Sequence, residues 1–247
     1  MKHLLRLSYL GTRYCGFQVQ PNGNTIQAEL QNAASKLFCT ACGITGCSRT
    51  DSGVHALEYF AVLEEHGSVD IPEEAVPRAI NTYLPADIMV SQSRRVPESF
   101  SIRRQVTGKE YLYLIWNGEY RNPFYIDRAL FYPRPLDFEK IKAAFPYFLG
   151  THDFRSFMAS GSEIADTVRT ITDIHMERDD NFVKILVSAD GFLYNMVRIL
   201  VGTLLEISEG KIPVEQLPAV IADGKRENAG RTVPAEGLYL NRVWVDM

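Results

Sequence analysis

The sequence has no long hydrophobic run. None of its apolar stretches approaches the roughly 20 residues that a transmembrane helix needs, which argues against a helical membrane protein. The first ten residues are too short and too charged for a secretory signal peptide, and they alternate as a β-strand does. With 46% hydrophobic and 23% charged residues the composition is that of a globular protein. We therefore expect a cytoplasmic protein.

Cysteine is scarce, with four residues in 247. Cys39 and Cys42 have the spacing of a zinc knuckle, and Cys47 or His55 could complete such a site. No second Cys-x-x-Cys pair is present, however, and the same segment fits a helix end followed by a strand. We predict buried free thiols and no metal site.

An excess of positive charge is also missing. The net charge of −4 gives no overall sign of nucleic-acid binding, although phosphate contacts need only a local basic surface. One local run is basic, and Glu98 is the only acid between its first and last members: Arg94, Arg95, Arg103, Arg104 and Lys109. Such a run is also typical of a merely solvated surface.

The hydrophobic pattern repeats in two halves, each in the order βαββαβ of a ferredoxin-like unit. The first half predicts strands and helices over 3–10, 26–37, 42–47, 56–64, 73–84 and 87–93. The second half predicts elements over 110–117, 138–149, 169–178, 181–188, 191–208, 214–223 and 238–245.

These repeats predict an α+β fold of two units, residues 1–100 and 101–247, linked near 94–107. We expect one continuous mixed or antiparallel sheet, with helices on one face and a cleft on the other. Such a sheet face suits nucleic acid, but the aromatic signature of an RRM is absent from both strand sets.

The segment from Gly46 to Ala56 concentrates reactive side chains in a short loop. It contains Arg49, Asp51 and His55 together with small hydroxyl residues and two glycines. An active site places such groups on a loop held by a rigid scaffold. Asp-Ser-Gly is also common in ordinary turns. An acid–base pair of Asp51 and His55, as in a hydrolase, is a further reading of these residues.

Six segments of the chain, in the same order, resemble the motifs of the tRNA pseudouridine synthase A family. The loop from Ser48 to Ala56 resembles the family signature Gly-Arg-Thr-Asp-x-Gly-Val-His-Ala. The other five similar segments are Tyr9 to Pro21, Lys109 to Tyr113, Gly150 to Phe157, Phe192 to Leu204 and Pro234 to Leu238. This chain differs from the family pattern at Ser48, usually glycine, at Ser52, commonly alanine, and at Cys47.

The resemblance implies an enzyme that detaches uracil from its ribose, rotates it and reattaches it through C5, without metal or cofactor. Asp51 would be the nucleophile and Tyr111 would stack on the target base. Arg198 would be the cation that favours the charged carboxylate, although an arginine at a helix edge can also simply reach solvent. Arg49 would fill the space left by a flipped uridine, and the basic run would meet phosphates.

The same resemblance implies a homodimer that binds the anticodon stem-loop of tRNA and modifies uridines at tRNA positions 38, 39 and 40. The differences at Ser48 and Ser52 motivate an alternative from another functional class. In that alternative the chain is an RNA-binding or RNA-chaperone protein that has kept the fold and lost catalysis. It predicts tRNA binding without chemistry.

Overall fold

The computed structural model describes residues 1–21, 23–67, 69–161 and 164–246. The chain forms two units, one of Met1–Thr107 with Leu240–Met247 and the other of Gly108–Tyr239. The first is called unit 1 and the second unit 2. No helix in the described part of the chain is long and apolar enough to cross a membrane.

Unit 1 has the predicted βαββαβ order. Its elements are β1 (Lys2–Tyr9), α1 (Ile26–Phe38), β2 (Gly43–Gly46), β3 (His55–Glu64), α2 (Val76–Ile80), β4 (Ile88–Val96) and the short α3 (Ile102–Gln105). Strand β1 lies between β3 and β4 and is antiparallel to both, and β2 pairs with β3. The core includes the fully buried side chains of Leu5, Leu30, Tyr59, Leu63 and Ile80.

Unit 2 contains β5 (Val106–Trp116), β6 (Leu130–Phe131), α4 (Phe138–Phe148), β7 (Gly150–Asp153), β8 (Val168–Asp179), β9 (Phe182–Ala189), α5 (Met196–Ser208), α6 (Leu217–Ala222) and the start of β10 (Leu238–Val245). Strands β5, β9, β8 and β7 follow one another as antiparallel neighbours. Strand β6 runs parallel to β5, which makes the sheet mixed. The predicted α+β class is confirmed.

The unit boundaries differ from the predicted division after residue 100. Unit 1 extends to Thr107 and also includes the C-terminal part of β10, from Leu240 onward. Strand β10 pairs with β3. In addition, Asp246 N–H donates to the Gln105 carbonyl and Val243 N–H to the Glu58 carboxylate, at 2.9 and 3.0 Å. Sequence pattern carries no signal for this long-range return of the chain.

Helices α2 and α5 are markedly shorter in the structure than predicted. Helix α2 covers only Val76–Ile80 of the predicted 73–84. It ends before Asn81, whose side chain bonds both backbone groups of Val90, at 2.8 and 2.9 Å. Helix α5 begins at Met196 rather than Gly191, since Asn195 adopts a left-handed conformation with φ 59°. In both cases an asparagine flanks the helix at a shortened end.

The Glu209 carboxylate, after the end of α5, predicts a pH dependence of stability. Bonds from Lys211, the Tyr132 hydroxyl and Arg134 lower the pKa of Glu209 from 4.5 to about 2. A carboxylate with a depressed folded-state pKa stabilises the fold above its unfolded pKa, and this stability is lost as the pH falls toward the folded value. We expect urea unfolding to show a loss of about 1–3 kcal/mol between pH 5 and pH 2.

Glu209→Gln isolates this contribution. The variant should be less stable than the wild type at pH 6, and the difference should shrink as the pH falls below 4. A constant difference across this range would contradict the assignment.

Candidate active site

Asp51 lies in the loop that joins β2 to β3, after Gly46 and before His55. Burial alternates along the loop: Arg49 is exposed, Thr50 is buried and Asp51 is half-buried. Alternation of this kind is typical of extended backbone, in which every second side chain lies on the same side. The placement of Arg49 and Asp51 on one side of the loop, which requires extended backbone there, stays a prediction.

The residue before Asp51 is held on both its side chain and its backbone. The Thr50 hydroxyl bonds the Tyr9 hydroxyl at 2.8 Å, and the Thr50 carbonyl accepts from the Phe17 N–H at 3.1 Å. Gly16 lies so close that a Cβ there would be 2.5 Å from the Thr50 carbonyl oxygen, and its φ is +84°. Only glycine fits this position without a backbone shift.

The residues after Asp51 form a tight turn against Tyr14. The Tyr14 carbonyl accepts from the Gly53 N–H at 3.3 Å and from the Ser52 hydroxyl at 3.2 Å. Val54 N–H donates to the Asp51 carbonyl at 3.1 Å, and Gly53 adopts φ +79°. Both flanks of Asp51 are thus fixed by the segment Tyr9 to Phe17.

An aromatic stack supports the start of the loop. The rings of Phe17 and Tyr59 stack with centroids 4.4 Å apart, and the Tyr59 hydroxyl donates to the Ser48 carbonyl. Gly46 leaves room for this stack, because a Cβ there would lie 2.1 Å from the Tyr59 hydroxyl oxygen. Ser48 is not among the residues with positive φ, so serine at this position causes no backbone strain.

His55 is a residue that holds the loop. It is fully buried, and its Nδ1 lies 2.9 Å from the Gly11 backbone N–H. A backbone N–H only donates, so this nitrogen accepts and the neutral ring carries its proton on Nε2. In this tautomer Nδ1 accepts from the backbone and Nε2 carries the proton, which argues against His55 as a general base in the hydrolase reading.

A substitution at Gly11 would test how tightly this residue packs against the loop that carries Asp51. A Cβ at Gly11 would lie 1.9 Å from the Val54 carbonyl oxygen, a backbone atom that cannot rotate away. We expect Gly11→Ala to destabilise the protein by about 1–3 kcal/mol in urea unfolding. Gly43→Ala is the matched control, since its nearest new contact would be an ordinary 3.7 Å. Equal stabilities of the two variants would contradict this packing.

In unit 2, Tyr111 and Tyr113 occupy the same face of β5, with Val187 and Ile185 as their partners on β9. Tyr113 is fully buried, and its hydroxyl donates to the Pro234 carbonyl at 2.7 Å. Burial raises the pKa of the Tyr113 phenol, so it remains a donor. Tyr113 is therefore a packing residue, whereas the Tyr111 ring lies edge-on to Phe192 with centroids 5.0 Å apart.

Arg198 lies in the first turn of α5, half-buried. Its Nε donates to the Val233 carbonyl at 2.7 Å and its Nη1 to the Asn195 side-chain oxygen at 2.6 Å. A cation in this position opposes the helix dipole, which favours negative charge at an N-terminus. The guanidinium is oriented by bonds within unit 2, at a position where helix electrostatics give it no advantage.

The segment that carries Val233 lies directly against α5. Gly202 and Gly230 make this approach possible, since a Cβ on Gly202 would be 1.7 Å from the Arg231 carbonyl oxygen. The Thr203 hydroxyl accepts from the Gly230 N–H at 2.8 Å. Arg226 ties the same segment together through the carbonyls of Ala229 and Gly230. These contacts fix the acceptor that holds Arg198.

The structure does not give the predicted basic run one common face. Arg94 and Arg95 are adjacent on β4, so their side chains lie on opposite faces of that strand. Arg95 forms an ion pair with Asp70 and also bonds the Ile71 carbonyl. Of the remaining members, Arg103 and Arg104 are exposed on α3 in unit 1, and Lys109 lies on β5 in unit 2.

The cysteines are free, and only some are buried as predicted. Cys42 and Cys47 are buried, whereas Cys15 and Cys39 are exposed. Cys39 ends α1 in a left-handed conformation that turns the chain toward β2, which explains its exposure. Within the four described stretches, no group of three His, Cys, Asp or Glu residues could hold a metal ion.

Comparison with known proteins gives the family. The model of a family described as tRNA pseudouridine synthase matches residues 7–103 and 144–244. This chain belongs to the tRNA pseudouridine synthase family. Enzymes of this family isomerise uridine to pseudouridine. The family resemblance predicted from the six motifs is confirmed.

Individual relatives align along almost the whole chain. The tRNA pseudouridine synthase A of Acetivibrio thermocellus is 44% identical over 240 residues, which cover 97% of this chain and 98% of the relative. The tRNA pseudouridine synthase A 2 of Clostridium perfringens is 46% identical, with coverage of 97% and 98%. The tRNA pseudouridine synthase A of Bacillus pumilus is 40% identical, and the alignment covers 100% of this chain and 100% of the relative.

The matched ranges include Asp51 and Arg198 but leave out residues 104–143, where Tyr111 lies. Sequence reasoning missed three residues that bond either Arg198 or the segment packed against the Asp51 loop. Asp87 holds Tyr14 through its phenol at 2.7 Å, and Asn195 and Val233 hold Arg198. Asn195 could have been found, because an asparagine directly before a helix is a recognisable sequence signal. Val233 could not, because it holds Arg198 through its backbone carbonyl, a group that every residue has.

Proposed function

We propose that this family member converts uridine to pseudouridine at one or more of positions 38, 39 and 40 in the anticodon stem-loop of tRNA, with Asp51 as the nucleophile. One observation carries the assignment of Asp51. The residues on either side of it are held by Tyr9 to Phe17, through the Tyr9, Tyr14 and Phe17 bonds described above. Two of the six motifs are therefore bonded to each other on both sides of Asp51.

The reaction requires the N1–C1′ bond to break, the uracil to rotate and a C5–C1′ bond to form, after which C5 loses its proton. A carboxylate nucleophile divides this exchange into two easier steps by holding one fragment covalently. Asp51 would bond either the base or the sugar, and both routes are balanced without a cofactor. Tyr111 is assigned to stacking on the base, and Arg198 to favouring the ionised carboxylate, from the family resemblance.

A uridine inside a stem must leave the stack before it can react, at a cost of a few kcal/mol. Arg49, exposed two residues before Asp51, is the proposed replacement in the vacated space. A planar guanidinium can both stack and donate several hydrogen bonds, which offsets part of that cost.

Phosphate contacts are assigned to Arg94, Arg95, Arg103, Arg104 and Lys109. They predict that affinity for tRNA falls steeply with salt. The ion pair of Arg95 with Asp70 must be exchanged for a phosphate in this proposal, and an exposed pair of this kind costs only about 0–1 kcal/mol to break. The functional enzyme is proposed to be a homodimer.

Unmodified tRNA transcripts provide the direct test. They are incubated with the wild-type protein, and pseudouridine is mapped nucleotide by nucleotide. Product at positions 38, 39 or 40 supports the proposal, and product elsewhere would overturn the site assignment. Salt-sensitive binding without any product would instead favour a noncatalytic RNA-binding protein.

A further inference from the structure

Asp87, at the end of the loop before β4, bonds one short segment through both carboxylate oxygens and its backbone carbonyl. Its Oδ1 accepts from the Tyr14 hydroxyl at 2.7 Å, and its Oδ2 pairs with Arg13 at 2.7 Å. Its backbone carbonyl accepts from the Leu10 N–H at 2.9 Å. Asp87 thus fixes the chain from Leu10 to Tyr14, more than 70 positions earlier.

Tyr14 connects this anchor to the loop of the nucleophile. Its side chain is 3% exposed, and burial together with Asp87 raises the pKa of its phenol, so the hydroxyl remains a donor. The carbonyl of the same residue accepts the two bonds from Ser52 and Gly53. Tyr14 is therefore bonded to Asp87 through its side chain and to the loop through its carbonyl.

The two flanks of Asp51 have separate supports. The flank before it is held by Tyr9 and Phe17 through Thr50, and these bonds do not involve Asp87. Only the flank after it depends on Tyr14. Loss of Asp87 should therefore shift the nucleophile without dismantling the loop, and shifts of about 1 Å at a reacting group can cost up to 100-fold in rate.

We propose that Asp87 is a positioning residue which, through Tyr14, fixes the turn that follows Asp51 and so places its carboxylate for attack. This inference rests on the proposed function, because it assumes that Asp51 is the nucleophile. Asp87 itself touches neither substrate nor reacting atoms in this account.

The experiment compares Asp87→Ala, Asp87→Asn and Tyr14→Phe with the matched control Arg13→Ala. Asp87→Asn keeps an oxygen that can accept from Tyr14 and loses only the charge. Arg13 is 68% exposed, so its ion pair contributes little. We expect single-turnover rates at saturating tRNA to fall about tenfold or more in Asp87→Ala and Tyr14→Phe, and less than twofold in Arg13→Ala. The dissociation constant for tRNA should stay within twofold in every variant.

A double variant separates positioning from general destabilisation. If Asp87 acts through Tyr14, then Asp87→Ala combined with Tyr14→Phe should be no slower than the worse single variant. Asp87→Asn should recover most of the rate. Multiplying rate losses in the double variant, or an Asp87→Asn as slow as Asp87→Ala, would overturn the proposal.

Hydrogen exchange gives a readout that does not need catalysis. The Gly53 amide donates to Tyr14, so it should exchange faster in Asp87→Ala and Tyr14→Phe and at the wild-type rate in Arg13→Ala. Unchanged exchange would overturn the link from Asp87 to the loop. A wild type that makes no pseudouridine would overturn the proposed function instead, whatever the exchange result.

Discussion

Asp51→Ala should abolish pseudouridine formation while the protein still folds and still binds tRNA. The carboxylate is the proposed nucleophile, and no neighbouring group can replace a covalent bond that is never formed. We expect a loss of at least about 1,000-fold in the single-turnover rate, measured at saturating tRNA, which corresponds to roughly 4 kcal/mol of lost transition-state stabilisation. Asp51→Asn, which keeps the shape and loses the charge, should be equally inactive.

The structure predicts that folding is spared. The Tyr9–Thr50 bond, the bonds from Ser52 and Gly53 to Tyr14, and the bond from Val54 N–H to the Asp51 carbonyl use groups that alanine at position 51 retains. Melting temperature and tRNA affinity should therefore stay close to wild type. Asp246→Ala, an exposed aspartate at the other end of unit 1, is the control for loss of a carboxylate. Turnover in a pure Asp51→Ala preparation would disprove the nucleophile assignment.

The sequence predicted elements whose signals are local. Helix α1 was found from apolar residues at helical spacing, and its buried side chains Ile26, Leu30 and Ala33 lie on the predicted face. The hairpin of β8 and β9 turns where predicted, with Asp180 at φ 50°. Both depend on residues within a few positions of one another, which is why pattern alone suffices.

Elements set by distant contacts were predicted poorly. The short β7 exists because Gly150 to Asp153 pair with β8, and four residues are too few to show a period. The return of β10 to unit 1 depends on pairing with β3 and on bonds to Glu58 and Gln105, residues more than a hundred positions away.

The candidate site also contains residues that the sequence could indicate and residues that it could not. Motif resemblance led to the proposal of Asp51, Tyr111 and Arg198 as site residues, because chemistry restricts the residue types in such motifs. It did not identify Asp87, a single aspartate before a strand with no distinctive spacing. Positioning residues act through geometry that several residue types can provide, so one sequence gives little signal for them.

Arg198→Met should lower the single-turnover rate about 100-fold, and Arg198→Lys should recover only part of it. Methionine fills a similar volume without charge, while lysine restores the charge but not the planar fork that bonds Val233 and Asn195 together. If Arg198 favours the ionised form of the nucleophile, its loss also moves the acidic limb of the pH–rate profile to higher pH. The measurement is therefore the rate from pH 5 to pH 9 for all three proteins.

A control variant at a second arginine of unit 2 separates an effect of Arg198 on the reaction from an effect on protein stability. Arg226 also bonds backbone carbonyls of the segment that lies on α5, and it has no proposed part in the reaction. Arg226→Met should reduce stability at least as much as Arg198→Met does, because it removes two carbonyl bonds and the contact with Thr232. Its pH–rate profile should match that of the wild type. If Arg198→Met slows the reaction equally at every pH, Arg198 positions substrate or protein but does not tune the nucleophile.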